Sequence, residues 1–328
     1  MLRRLTSFQA LALSTTAMTY LLILVGGLVR ASGAGLGCPD WPKCFGSWTP
    51  PASAAELPPG FDPSQFNATL MWTEYLNRLL GVTVGLLIFA TLVSAFRNHR
   101  RTPAIVWSTF AAFLLVAFQG WLGGVVVEHE LAASLVTVHL LVALVIVSLL
   151  LSATVYAFLR VGASASEPVP ARGPLLWSVS VLIAMTLAQI TLGAQVRGAV
   201  DDALIHGTPR ERALASVGTF DIWHREMALV VFALTFVMFL LVWTRHRRER
   251  RLLQTASAIV ALVVAQVGFG LWMAYVALTP VAQVAHLTAS SLMLGAETVL
   301  LLLARWLPPY PRQEPSGTIV SNRRRTSV

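Results

Sequence analysis

Charge is what this 328-residue chain has least of. Asp, Glu, Lys and Arg make up 12% of it, about half the share found in a soluble domain. That shortage excludes an ordinary water-facing surface around a single core. Cysteine is scarce as well: Cys38 and Cys44 are the whole supply, which excludes a disulfide-rich scaffold and a cysteine-cluster metal domain. What is present is apolar. Hydrophobic residues are 56% of the chain and the mean hydropathy is +0.69. Uncharged runs of about 18–25 residues recur, each long enough to cross a bilayer core of roughly 30 Å. The net charge of +9 therefore points to arginine-rich loops beside a membrane, and no nucleic-acid partner is expected.

Eight spans are predicted, at about 10–29, 79–96, 104–127, 131–159, 175–196, 222–243, 252–278 and 281–304. With the N-terminus inside, the inner loops and tail hold seventeen of the 24 Lys and Arg residues, among them RNHRR (97–101) and RHRRERR (245–251). The bias fits a multi-pass protein of the cell membrane with both termini cytoplasmic. A cleaved signal peptide is the alternative for the first span, but the internal repeat requires that helix.

The repeat is the main organisational feature. EYLNR (74–78) matches DIWHR (221–225) at an offset of 147, which aligns Asn77 with His224. VTVHLLVAL (136–144) and AQVAHLTAS (282–290) align His139 with His286 at the same offset. So do QGWLGG (119–124) and QVGFGL (266–271), matching Gln119 to Gln266 and Gly123 to Gly270. GGLVRASGAG and LGAQVRGAV further align Arg30 with Arg197. The fold expected is an all-α membrane protein of two tandem four-helix bundles arising by duplication. Residues 1–159 form the first half, with a long outer loop at 31–73. Residues 160–174 are a cytoplasmic linker, 175–305 the second half and 306–328 a basic cytoplasmic tail.

Of seven histidines, His99 and His246 fall in basic inner loops and His129 and His206 in outer loops, where solvation is the expected fate. His139 and His286 sit inside apolar helices near the outer end, and His224 at an outer helix start. An ionisable group inside a membrane helix is costly and usually faces a partner in the bundle. One such histidine would read as an interhelical hydrogen bond. A facing pair, His224 with His286, suits a haem iron, which takes nitrogen ligands from opposite faces. Zinc would want three or four close ligands. Arg30, Arg78, Arg197 and Arg225 lie at the outer rim, where haem propionates would need cations; interfacial snorkelling is the competing reading. Glu74 is the acid nearest the first-half site, either a proton-transfer group or a helix-dipole acid. Glu297, deep in the last span, reads as a hydrogen-bonded bundle residue. Cys38 and Cys44, in GLGCPDWPKCFG, are either a structural clip or a redox pair.

The GCPDWPKC loop, the Glu-x-x-x-Arg opening of the second span, the paired histidines and the eight spans together resemble haem A synthase, the membrane enzyme of cytochrome oxidase assembly. The likeness covers roughly residues 10–305. It implies haem b held in the second half between His224 and His286, with Arg225 and Arg197 at its propionates. It implies a first half that receives haem O at His139, Asn77, Arg78 and Arg30 and oxidises a ring methyl to the formyl group of haem A, with Glu74 implicated and Cys38 and Cys44 as the family's cysteine pair. The chain departs from the best-known members at Asn77, where they carry a second histidine; asparagine is a poor iron ligand but a good hydrogen-bonding group. An axial position left vacant or water-filled on that side is the expectation. The partners implied are the lipid bilayer, haem O synthase and an unidentified electron donor, with homo-oligomerisation left open. The alternative function is a b-type membrane cytochrome acting only in electron transfer.

Overall fold

The computed structural model describes residues 5–159 and 172–306. Most of the linker, nearly all of the basic tail, and Arg3, Arg4, Arg160, Arg312 and the arginines at 323–325 lie outside the described residues.

Among the described residues, eight helices are long and apolar enough to cross a membrane. Lipid offers the backbone no hydrogen-bond partner, so long apolar runs close their bonds within themselves as helices. In chain order they are α1 (Ser7–Ala31), α2 (Ala68–Asn98), α3 (Pro103–Glu128), α4 (Ala133–Leu159), α5 (Gly173–Ile205), the short α6 (Arg210–Ala213), α7 (Thr219–Arg245), α8 (Arg250–Tyr275) and α9 (Pro280–Trp306). Local sequence sets several starts. Thr6 and Gln9 form a reciprocal capping box at α1, Asn67 caps α2 through the Leu70 N–H, and Pro103 occupies the first turn of α3.

Three of the helices that outrun the predicted apolar stretches continue through i,i+4 ion pairs. The second span was expected from residue 79, but α2 begins at Ala68, so Glu74, Asn77 and Arg78 lie within it. Likewise α5 continues to Ile205, which puts Arg197 well inside that helix, and α7 starts at Thr219. The reason is charge spacing. Glu74–Arg78, Arg197–Asp201 and Asp221–Arg225 are i,i+4 ion pairs, which support a helix where apolar composition gives out.

The packing runs in two rings. α1, α2, α3 and α4 touch in sequence and α4 returns to α1; α5, α7, α8 and α9 do the same. A core of Val84, Ile88, Ala112, Ile146 and Leu150 fills the first ring, and a larger one including Leu182, Met238, Ile259 and Leu300 fills the second. The rings meet where α9 packs on α1 and α4, and α4 on α5. Leu144, Ile190 and Leu294 form the apolar seam there. α9 is the most enclosed of the eight, half of its apolar stretch being buried. Glu297 of α9 is fully buried and accepts a hydrogen bond from Thr186 at 2.9 Å, the bundle role expected of it.

Two loop histidines are less solvated than their basic surroundings suggested. His246 is 8% exposed, and burial holds its imidazole below the usual histidine range. His99 lies against Phe8, ring centroids 4.5 Å apart and planes tilted by 56°, and desolvation lowers its pKa too.

Candidate functional site

In the second ring, His224 lies five residues into α7 and His286 six residues into α9. At 1.5 Å per residue both sit roughly 8–9 Å from the ends of their helices. Their rings face one another with centroids 6.3 Å apart and planes at 66°. A metal–imidazole bond is about 2 Å long, so two imidazoles ligating one ion from opposite sides stand with centroids about 6 Å apart. The Nδ1 atoms of both rings are buried without a hydrogen-bond partner, as a group awaiting a ligand would be. Among the described residues no three His, Cys, Asp or Glu side chains converge on a metal-ion position. The pair is thus a two-ligand site, and it fits a haem iron, whose other four ligands come from the macrocycle.

The neighbouring helices hold these histidines in one recurring way. Gln189 of α5 donates its side-chain amide to the His224 carbonyl at 2.9 Å. One turn on, Gly193 faces the ring: a Cβ there would stand 2.9 Å from His224 Cε1. Gln266 of α8 donates to the His286 carbonyl at 2.8 Å, and a Cβ on Gly270 would stand 3.9 Å from His286 Cε1. In the first ring Gln119 of α3 donates to the His139 carbonyl at 2.7 Å, with Gly123 3.6 Å from His139 Cε1 by the same measure. Asn77 faces Gly26 of α1, its Oδ1 4.0 Å from where a Cβ would be. The Asn77 Oδ1 and the His139 Nδ1 are also buried and unpartnered.

The first ring carries an additional part, the disulfide loop. Cys38 and Cys44 are bonded and fully buried. Glu74 Oε2 accepts the Cys38 backbone N–H at 2.8 Å, while Oε1 pairs with Arg78. Arg78 donates in addition to the carbonyls of Asp40 and Lys43, each at 2.7 Å, and of Cys38 at 3.2 Å. A guanidinium has five N–H groups, and these bonds engage all five. Arg78 is therefore a clamp for the loop, with no donor left for a propionate. Glu74 is almost fully buried and lies beyond the first turn of α2, which removes the helix-dipole reading. Trp41, between the two clamped carbonyls, lays its indole on Gly124 of α3; a Cβ there would meet the ring at 2.8 Å.

The other arginines are paired as well. Asp201 binds Arg30 at 2.9 Å through one oxygen and Arg197 at 2.7 Å through the other. It thereby ties α1 to α5. Arg197 Nη1 remains buried without a partner. Arg225 pairs with Asp221 at 2.8 Å and also meets Tyr275, with nearly half of its side chain exposed.

The structure brings the rings of His224 and His286 together. It also sets Gln189, which was not among the predicted site residues, against His224. The signal was available: Gln189 precedes Gly193 by four residues, as Gln119 precedes Gly123 and Gln266 precedes Gly270.

The family model described as cytochrome oxidase assembly protein matches residues 9–298. Among curated relatives, haem A synthase of Azorhizobium caulinodans is 27% identical over 328 residues, covering 88% of this chain and 89% of that one. Haem A synthase of Alkalihalophilus pseudofirmus is 26% identical over 260 residues, 77% of this chain and 82% of its own. A 33% identical match to haem A synthase of Shewanella oneidensis spans 143 residues, 42% of each chain.

Proposed function

The chain belongs to the cytochrome oxidase assembly protein family, and from that membership we infer that it is a haem A synthase, a multi-pass membrane oxidoreductase converting haem O to haem A. The observation that carries the reading to particular residues is the facing pair His224 and His286 at 6.3 Å. In this reading the halves 1–159 and 175–305 do different work. His224 and His286 hold a resident haem b, and Arg197 and Arg225 serve its propionates. The unpartnered Nη1 of Arg197 supports an anionic neighbour there. When bound, haem b supplies a centre that takes up and releases single electrons.

The first half receives the substrate. His139 is the ligand offered to haem O, and Arg30 a rim cation for its propionates. Asn77 hydrogen-bonds well and ligates iron poorly, so substrate and product are held from one side and leave more readily. Glu74 Oε2 is the carboxylate oxygen placed to take a proton as the ring methyl is converted to the formyl group, an oxidation whose oxygen atom and oxidant come from outside this chain. Arg78 orients that carboxylate and clamps the disulfide loop to α2. The complete burial of Cys38 and Cys44 supports a structural clip over a redox couple. Both termini lie in the cytoplasm, and the sites face the outer side of the cell membrane, where haem O synthase and an electron donor are the partners.

A carrier of two permanent haems would want four equivalent ligands, and Asn77 leaves three. Purified protein should therefore carry one low-spin haem b per chain by reduced spectrum and pyridine haemochrome. Expression in cells lacking haem A synthase should restore haem A in acid-acetone extracts. Protein without haem, or extracts holding haem O alone, would overturn the reading.

A further inference from the structure

Three positions in the two rings share a design, and a fourth, Asn77, departs from it in two respects: asparagine stands for histidine, and leucine for glutamine on the facing helix. His139, His224 and His286 each have a Gln-x-x-x-Gly pair on the adjacent helix. The glutamine amide donates to the histidine's own carbonyl, and the glycine faces the imidazole. Residues i and i+4 lie on one helix face about 6 Å apart along the axis, so each pair grips backbone and ring of one residue together. The alignment of Arg30 with Arg197 extends to Gly26 with Gly193 and to Leu22 with Gln189. Asn77 thus faces the one pair in which leucine replaces glutamine.

A helical carbonyl already accepts its own i+4 N–H, so the second donor is not needed for satisfaction. It pins the height and rotation of the residue against the neighbouring helix. A glutamine among apolar helices is costly unless bonded, yet three of them donate to the carbonyl of a histidine with an unpartnered Nδ1, while their own Oε1 atoms have no partner. Leu22 instead packs on the first-ring core of Val84 and Ile88.

We propose that Gln119, Gln189 and Gln266 are positioning residues for the haem-ligating histidines, and that Leu22 marks the Asn77 position as released from ligation. The proposal rests on the haem reading above. Holding a ligand in one orientation lowers the cost of bringing it to the iron, and one side-chain hydrogen bond of this kind is worth about a threefold to tenfold change in occupancy.

The test uses the full-length protein in detergent. Gln189→Leu and Gln266→Leu place at these positions the residue the fourth pair already carries. Haem per protein should fall about threefold or more at unchanged protein yield. The low-spin bis-histidine signature, read by α-band position and electron paramagnetic resonance, should broaden or be lost. Gln195→Leu removes another intramembrane glutamine, bonded to Thr137, and should leave both readouts as in wild type. A second arm reads gain: Leu22→Gln with Asn77→His should retain a second low-spin haem better than Asn77→His alone. Unchanged haem and spectra in Gln189→Leu and Gln266→Leu would overturn the proposal. So would an equal loss in Gln195→Leu, or no advantage of the double variant. Wild-type protein without haem would instead overturn the haem reading beneath it.

Discussion

Glu74 accepts the backbone N–H of Cys38 at 2.8 Å, so this buried carboxylate and the disulfide loop form one unit. Glu74→Gln keeps an oxygen for that N–H but removes the charge. Proton transfer by a placed side chain contributes roughly 10²–10⁴-fold to a rate. Haem A formation should therefore fall by about two orders of magnitude or more, with haem b content unchanged. The haem A to haem O ratio in extracts checks the first part, and the haemochrome the second. Haem b lost along with activity would assign Glu74 a structural role.

Removing the bridge should act on the loop before the rings. Cys38→Ser with Cys44→Ser releases a short closed loop, worth about 2 kcal/mol by chain entropy. Arg78 still holds the Asp40 and Lys43 carbonyls. The expected outcome is faster proteolysis within residues 45–66 and a severalfold drop in turnover, with the second-ring haem intact. Loss of that haem in the double serine variant would contradict the separation of the two rings.

A methyl group discriminates the two glycines that face α7 and α2. A Cβ at Gly193 would crowd His224 at 2.9 Å, whereas one at Gly26 would stand 4.0 Å from Asn77. Gly193→Ala should displace the imidazole and reduce haem b in purified protein several-fold. Gly26→Ala should leave haem b at the wild-type level and change activity little. Equal haem content in the two variants would show that Gly193 does not set the position of His224.

At Asn77 the expected effects run in opposite directions for binding and turnover. Asn77→His should raise the amount of haem that copurifies with the first ring and lower haem A output. Asn77→Ala should lower output without raising retention. Full activity in the alanine variant would remove Asn77 from the mechanism, and unimpaired turnover with histidine would show that no open side is needed.

Much of this was legible in the chain because the decisive signals are linear. Apolar length gave the eight spans, and a constant offset of 147 aligned Asn77 with His224 and His139 with His286. The helix ends at Ala68 and Ile205 were not legible, since polarity alone cannot tell a loop from a helix extended by i,i+4 ion pairs. Gln189 was legible only through its four-residue spacing to Gly193. The offset does not find it, because it belongs to the pairing of α1 with α5, whose offset is 167, and its counterpart there is Leu22. The engagement of Arg78 by three loop carbonyls depends on how residues 38–43 fold back over α2, which no local pattern encodes.

Asp201 holds Arg30 of the first ring and Arg197 of the second on its two oxygens. An anion that draws Arg30 away leaves the carboxylate to Arg197 alone, and the reverse holds for an anion at Arg197. Occupancy of either site then changes the charge felt at the other, and thermodynamic reciprocity requires the same factor in both directions. On the proposed reading, an anionic group bound by one half would in this way alter the charge at the other through a single shared side chain.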